Sequence, residues 1–143
     1  MTTVLVDSSV ILAAFDNDDN EYRASKALLE NSSITIATLD LARYEVVNVA
    51  IRAWKSPSEV APLLAAIEQI AQDGGVVRSG SGLLASAASF ASNNNITVYD
   101  ATYVVAARDA GHKLLSCDIR DLTSRGYAIL PTVLMETLDS PAN

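Results

Sequence analysis

Short runs of uninterrupted apolar residues alternate along this chain with segments whose apolar positions recur every three or four residues. Val4-Leu5-Val6 is the first such run, and it suits a central parallel strand covered on both faces. Asp7-Ser8-Ser9, three helix-capping types in a row, precedes the apolar start of a helix at Val10-Ile11-Leu12-Ala13-Ala14. Residues 16–20 read as a polar loop, residues 21–30 as a helix and residues 33–37 as a second strand. Thr38 or Asp40 opens a helix over residues 39–54, with an apolar stripe of Leu39, Ala42, Val46, Val49 and Ala53. Ser56-Pro57-Ser58-Glu59 breaks that helix and starts another, which ends at Gly74-Gly75. Val76-Val77 predicts a brief strand, residues 79–82 a loop, and the Ala- and Ser-rich stretch beyond them a helix stopped by Asn93-Asn94-Asn95. Ile96-Thr97-Val98-Tyr99 reads as an extended segment leading into Asp100, which opens a helix closed by Gly111. Residues 113–116 and 127–130 are the last strands, the second ended by Pro131, and the tail from Glu136 is expected to be loose.

Alternating strands and helices predict one α/β domain, a mainly parallel β-sheet flanked by α-helices, over residues 1–135, with a C-terminal tail over 136–143. The 143 residues suffice for a hydrophobic core without disulfides, and the single cysteine, Cys117, permits none within the chain. One cysteine, no signal-peptide pattern and no apolar run of membrane-spanning length together predict a cytoplasmic location and no membrane contact. The net charge of −7 argues against a general nucleic-acid coat, which normally presents a basic face. It leaves two readings: acids concentrated where they bind cations that then face phosphates, or no nucleic acid at all.

The positions of the acids carry the chemistry. In open parallel sheets ligands bind beyond the carboxyl ends of the strands. Asp7 follows the first strand, Asp100 the 96–99 segment, and Asp118 the run Leu114-Leu115-Ser116-Cys117, with Asp121 three residues on. Glu45 lies on the helix after the second strand, bordered on its own surface by Ala42 and Val49. Each acid also has a structural reading: Asp7 and Asp100 as caps, Asp118 and Asp121 as a solvated turn, Glu45 as a partner of Arg43 or Arg52. Carboxylates gathered at successive strand ends repel unless cations separate them, and hard oxygen ligands suit Mg²⁺ or Mn²⁺. Two such ions about 4 Å apart can clamp the attacking and leaving oxygens of a phosphodiester without a histidine or a thiol. The lone His112 reads as a surface turn residue and Cys117 as a small inward-facing hydrophobe. The hydroxyls of Ser9 and Ser116, each two residues from a site aspartate, are expected to support the carboxylates. Asn48, one turn from Glu45, can face the same pocket, and Arg52, four residues further, has two readings: reaching a phosphate or holding Glu45, or lying on a solvated helix face.

These residues resemble the PIN-domain family, most closely the VapC toxins of VapBC toxin–antitoxin pairs. Val4-Leu5-Val6-Asp7-Ser8-Ser9-Val10 resembles the opening strand with its first metal-binding aspartate. Tyr44-Glu45-Val46-Val47-Asn48-Val49 resembles the helix with the second acid, and Val98-Tyr99-Asp100-Ala101-Thr102-Tyr103-Val104-Val105-Ala106 the third motif. Leu114-Leu115-Ser116-Cys117-Asp118 resembles the fourth. The resemblance implies a PIN-like nuclease domain, Mg²⁺- or Mn²⁺-dependent cleavage of RNA, a homodimer, and inhibition by a VapB-type antitoxin. Asp7, Glu45, Asp100 and Asp118 become the catalytic and metal-binding acids. The stretches 10–15 and 59–70 offer apolar surface for a dimer or an antitoxin. The departures are Cys117, where a small non-thiol residue often stands, Asp121, a supporting carboxylate, and the acidic balance.

Other uses of acids at strand ends fit less well. A phosphate-accepting receiver domain wants paired acids after the first strand and a lysine after a late one, where this chain has Ser8-Ser9 and Ser116-Cys117-Asp118. A haloacid-type phosphatase wants an aspartate where Ser9 stands. A catalytically inactive module that keeps the fold and binds RNA or protein is the remaining alternative.

Overall fold

The computed structural model describes residues 2–73 and 75–140. Strands β1 (Thr2–Val6), β2 (Ile34–Leu39), β3 (Val76–Val77) and β4 (Lys113–Leu115) form one all-parallel sheet in the order β3-β2-β1-β4. The helices are α1 (Ser8–Ala13), α2 (Tyr22–Glu30), α3 (Leu41–Arg52), α4 (Val60–Gln72), α5 (Ser81–Asn94), α6 (Val98–Ala110) and α7 (Pro131–Asp139). A 3₁₀ turn, Pro57–Glu59, leads into α4, and a π-helical turn, Ile119–Thr123, follows β4.

Strand periodicity sorts the core into two layers. Val4, Val6, Ile34, Ile36 and Leu115 face one way, against Ile11, Leu28, Val46, Leu63, Ile67 and Leu134 of the α1–α4 and α7 side. Leu5, Ala37, Leu39 and Leu114 face the other way, against Tyr103, Val104 and Ala107 of α6, which α5 covers through Ala87 and Ala91. The chain first moves outward from β1 to β2 and β3, then crosses by α5 and α6 on the opposite face to place β4 on the other side of β1. Such a reversal of direction leaves a crevice beyond the carboxyl ends of the two strands flanking it, here β1 and β4. Gly75 makes the passage from α4 into β3 possible, because a Cβ there would lie 2.1 Å from the Ile36 carbonyl oxygen.

Several expectations change. The segment 96–99 is not extended: the Thr97 hydroxyl accepts the Asp100 amide and caps α6, so the helix starts at Val98. The stripe on α3 runs through Ala42, Val46 and Ala50, while Leu39 ends β2 and Ala53 is exposed beyond the helix. The expected strand over 127–130 is reduced to one bridge, Leu115 with Ile129, fixed by Ser116 N–H to Ile129 C=O (3.1 Å) and Ile129 N–H to Leu114 C=O (3.0 Å). Pro131 begins α7 instead of ending structure, as its preset φ and missing N–H allow in a first turn. The tail expected from Glu136 is therefore helical to Asp139, and the boundary at 135 falls inside α7; residues 141–143 lie outside the described residues. Glu21 fastens α7 to the start of α2, accepting from the Thr132 amide (2.9 Å) and hydroxyl (2.6 Å). Of the stretches 10–15 and 59–70, Ile11, Leu63 and Ile67 are buried in the protein's own core, while Leu12, Phe15, Val60 and Leu64 keep part of their apolar surface in water. No described helix is long and apolar enough to cross a membrane.

Candidate metal centre and active site

Five acids converge on the crevice between β1 and β4. Asp7 arrives at the end of β1, and its amide donates to Leu115 C=O of β4 (3.1 Å), which ties the two strand ends together. Its carboxylate caps α1, accepting from the amides of Ser9 (3.0 Å) and Val10 (3.4 Å) and from the Ser9 hydroxyl. The capping role and the site position thus coexist in one side chain. Asp7 is 5% exposed. Burial raises its pKa to about 6, with hydrogen bonds from Ser116, Ser9 and Val10 opposing the rise and the charge of Glu45 adding to it.

Asp118 follows β4 and caps the π-helical turn by accepting the Asp121 amide (2.9 Å). The tight turn brings Asp121 back beside it. Asp100, in the first turn of α6, completes a group in which Asp100, Asp118 and Asp121 each offer an oxygen within 4.8 Å of the others. Burial, then the charge of Asp118, push the Asp100 pKa up to about 6, with Glu45 and Asp121 adding and Thr97 opposing. Asp100 is not a helix cap, since Thr97 holds that position.

Glu45 enters from α3 on the far side. It takes a 2.7 Å hydrogen bond from the Tyr103 hydroxyl, and the Ser8 hydroxyl also reaches it. Burial raises its pKa against those two bonds. Tyr103 is itself buried, and burial together with the Glu45 charge keeps its phenol protonated. Neither arginine considered for Glu45 pairs with it: Arg43 binds Glu68 at 2.9 Å, and Arg52 is exposed. Asn48 is exposed as well. Asn48 and Arg52 follow Glu45 along the same surface of α3, one and two turns on, but their side chains stand in water.

The hydroxyls of Ser9 and Ser116 knit the floor. Ser9 Oγ donates to Asp7, accepts the Cys117 amide (2.8 Å) and lies 3.4 Å from Ser116 Oγ. Ser116, fully buried, accepts the Asp118 amide (3.0 Å). Cys117 packs half-buried against the core, and burial, with Asp7 nearby, pushes its thiol up to about 12, far from a thiolate at neutral pH.

Asp121 therefore stands among the grouped acids, although its spacing alone reads as supporting, and Tyr103, Ser8 and Thr97 are structural members that acid-hunting misses. Tyr103 falls three residues after Asp100, one turn along the same helix surface, which is the signal that could have found it. Asp40 also follows a strand end, that of β2, yet does not join. Its carboxylate accepts from the Ser79 amide and hydroxyl, and these bonds outweigh its partial burial and hold its pKa low.

Three half-buried carboxylates that each offer an oxygen within 4.8 Å of the others, with the charges of Asp118 and Asp121 helping to raise the pKa of Asp100, form a hard-oxygen donor set that suits a small divalent cation. The sole ion pair made by the group is between Arg120 and Asp121 (3.4 Å), and Arg120 is almost fully solvent-exposed, so little else among the described residues offsets the charge.

Comparison with known proteins places this geometry in context. A family model described as the PIN domain matches residues 4–124. Ribonuclease VapC3 of Pyrobaculum aerophilum is 32% identical over 131 residues, covering 89% of this chain and 97% of that protein. Among solved structures, Mycobacterium tuberculosis VapC20, a sarcin–ricin loop cleaving toxin, is similar with a TM-score of 0.66 at 18% identity, over 86% of this chain and 95% of that one. The DNA-bound VapBC of Salmonella typhimurium is similar with a TM-score of 0.61 at 13% identity, over 91% and 97%.

Proposed function

The chain belongs to the PIN-domain family, and from that premise we propose that it is an endoribonuclease dependent on Mg²⁺ or Mn²⁺, acting as the toxin of a type II toxin–antitoxin pair. The observation that carries this reading is the convergence of Asp100, Asp118 and Asp121 beyond the carboxyl ends of β1 and β4, with Glu45 and Asp7 beside them. Asp100, Asp118 and Asp121 would hold the ion, with Glu45 and Asp7 completing the acidic wall. When bound, a divalent cation supplies Lewis-acid activation of water and neutralises charge developing on the phosphodiester.

The protein's own groups prepare that chemistry. Tyr103 and Ser8 fix the orientation of Glu45, which stands ready to take a proton at Oε2 while Oε1 is held by the phenol. Asp7 acts through the serine floor: its bonds to Ser9 and Ser116 set the path of residues 116–118 and so aim Asp118. Arg52, exposed on α3, is the candidate for a phosphate contact, with Asn48 beside it. A VapB-type antitoxin would restrain the enzyme by placing a cationic side chain among the acids, and a homodimer is the expected assembly.

The test is cleavage of an end-labelled RNA in Mg²⁺ or Mn²⁺. Cleavage abolished by EDTA and restored by the ion supports the reading, and sequencing the new 5′ ends would define the cut. Full activity in excess EDTA overturns metal dependence, and no cleavage of any RNA in either ion leaves the inactive binding module.

A further inference from the structure

Alternation along β2 puts Ile34, Ile36 and Thr38 on one face of the strand. Ile34 and Ile36 join the apolar layer that also holds Val4, Val6 and Leu115. Thr38 interrupts that run with a hydroxyl and is fully buried. A hydroxyl in such a place must find a partner, or it costs stability relative to valine, which has the same shape. Thr102, buried as deeply, returns its hydroxyl to Val98 C=O of its own helix (2.7 Å). Thr38 instead reaches another strand and donates to Val6 C=O at 2.8 Å.

That carbonyl belongs to the peptide unit that leads into Asp7. The registered pairing of β1 with β2 ends one residue earlier, at Leu5 with Ala37, so the Thr38 hydroxyl bonds where the ladder stops. The other end of the same peptide is the Asp7 amide, which donates to Leu115 C=O of β4 (3.1 Å). One peptide plane is thus held from both flanking strands, by a side chain of β2 and by the backbone of β4. A plane held at both its oxygen and its hydrogen leaves little freedom in the backbone on which Asp7 turns. Thr38 is anchored in its turn, its amide donating to Gly75 C=O (2.7 Å), and α3, which carries Glu45, begins shortly after it at Leu41.

We propose that Thr38 is a positioning residue of the acidic site: its hydroxyl sets the Val6–Asp7 peptide, and through it the aim of Asp7 and of the serine floor leading to Asp118, relative to Glu45. Being buried, Thr38 is out of reach of RNA and acts only through the backbone it holds. Of the measurements below, only cleavage rests on the ribonuclease reading.

Thr38→Val against wild type, and Thr38→Ala against Thr38→Ser, are two comparisons that each remove one hydroxyl, so a variant that does not fold leaves the other pair to decide. Well below the melting temperatures, loss of the hydroxyl should lower kcat on RNA roughly 10- to 100-fold with KM unchanged, and should weaken Mn²⁺ binding, read from the EPR signal of the free ion, by a similar factor. In EDTA, amide hydrogen exchange at Asp7 should quicken relative to that at Leu5, which is paired with both neighbouring strands. Thr38→Ser should keep kcat and Mn²⁺ affinity near wild type even though it melts lower for want of the methyl group. A general loss of stability would quicken both amides alike and leave kcat unmoved. Equal kcat and equal Mn²⁺ affinity across both comparisons overturn the proposal and leave the ribonuclease reading standing. So does a Thr38→Ser variant as impaired as Thr38→Val, which assigns the effect to packing. Wild-type protein that cuts no RNA overturns the ribonuclease reading, and Mn²⁺ binding and amide exchange then decide for or against Thr38 on their own.

Discussion

Asp100 is the residue on which the metal reading can be separated from a merely structural one. Thr97 already caps α6, so the Asp100 carboxylate stabilises nothing that an amide would lose, and it is crowded by Asp118, Glu45 and Asp121. Asp100→Asn should therefore abolish RNA cleavage in Mg²⁺ or Mn²⁺ and melt no lower than wild type, because removing one of several repelling charges relieves the apo protein. Asp7 differs, since its oxygen caps α1. Asp7→Asn retains a capping oxygen, whereas Asp7→Ala should cost about 1 kcal/mol in stability through the lost cap.

The same raised pKa values give a pH dependence with a definite sign. Between the unfolded value of 3.8 and the folded value of about 6, the native protein binds more protons at Asp7 and Asp100 than the unfolded chain does. Stability in EDTA should then fall as pH rises through that window and stay at the lower level above it, the Asp7 shift alone corresponding to about 3 kcal/mol. Urea titrations at pH 4 and pH 7 would show it, and equal or greater stability at pH 7 would contradict the burial of these charges. Adding Mg²⁺ or Mn²⁺ should restore stability at pH 7 and do little at pH 4, where protons already occupy the carboxylates.

At the scale of elements, α6 does the most to form the site, and its start is set by one hydroxyl. Thr97→Ala should lower stability by about 1 kcal/mol. It should also reduce cleavage by loosening the turn that carries Asp100, whereas Thr97→Ser should restore both; the pair can be read by melting and by initial rates. What the sequence made legible follows the same logic. Uniform apolar runs such as Val4-Leu5-Val6 have one comfortable place, a covered parallel strand, so β1, β2 and β4 could be read directly. Helix ends announced by Gly111 and Asn95, both in the left-handed region, were equally plain. Residues 96–99 misled because Ile, Thr, Val and Tyr all favour strands, and the capping bond from Thr97 outweighs that preference. Pro131 misled because the same ring that stops a helix also starts one, and the Glu21 clasp that settles the matter lies 111 residues away. The acids at strand ends were visible as types and positions. Which of them would share a centre was not, since Asp121 joins only through the π-helical turn, and Asp40 is withheld only by Ser79.

At the scale of the molecule, the reversal of strand order has a consequence for how the protein could be taken apart. Everything before Ser79 carries β1, β2 and β3 with Asp7 and Glu45; everything after it carries α5, α6 and β4 with Asp100, Asp118 and Asp121. Ser79 is fastened to Asp40 in the first portion, and Gly80 caps α5 in the second, so the peptide bond between them is a natural seam. Neither portion owns a working centre. Two separately produced fragments meeting at that seam should each be inert toward labelled RNA and should recover cleavage when mixed, as β4 docks beside β1. A fragment that cuts RNA alone would show that the chemistry is not shared across the seam. Reconstitution would make the proposed nuclease a two-part reporter, silent until whatever carries the halves brings them together.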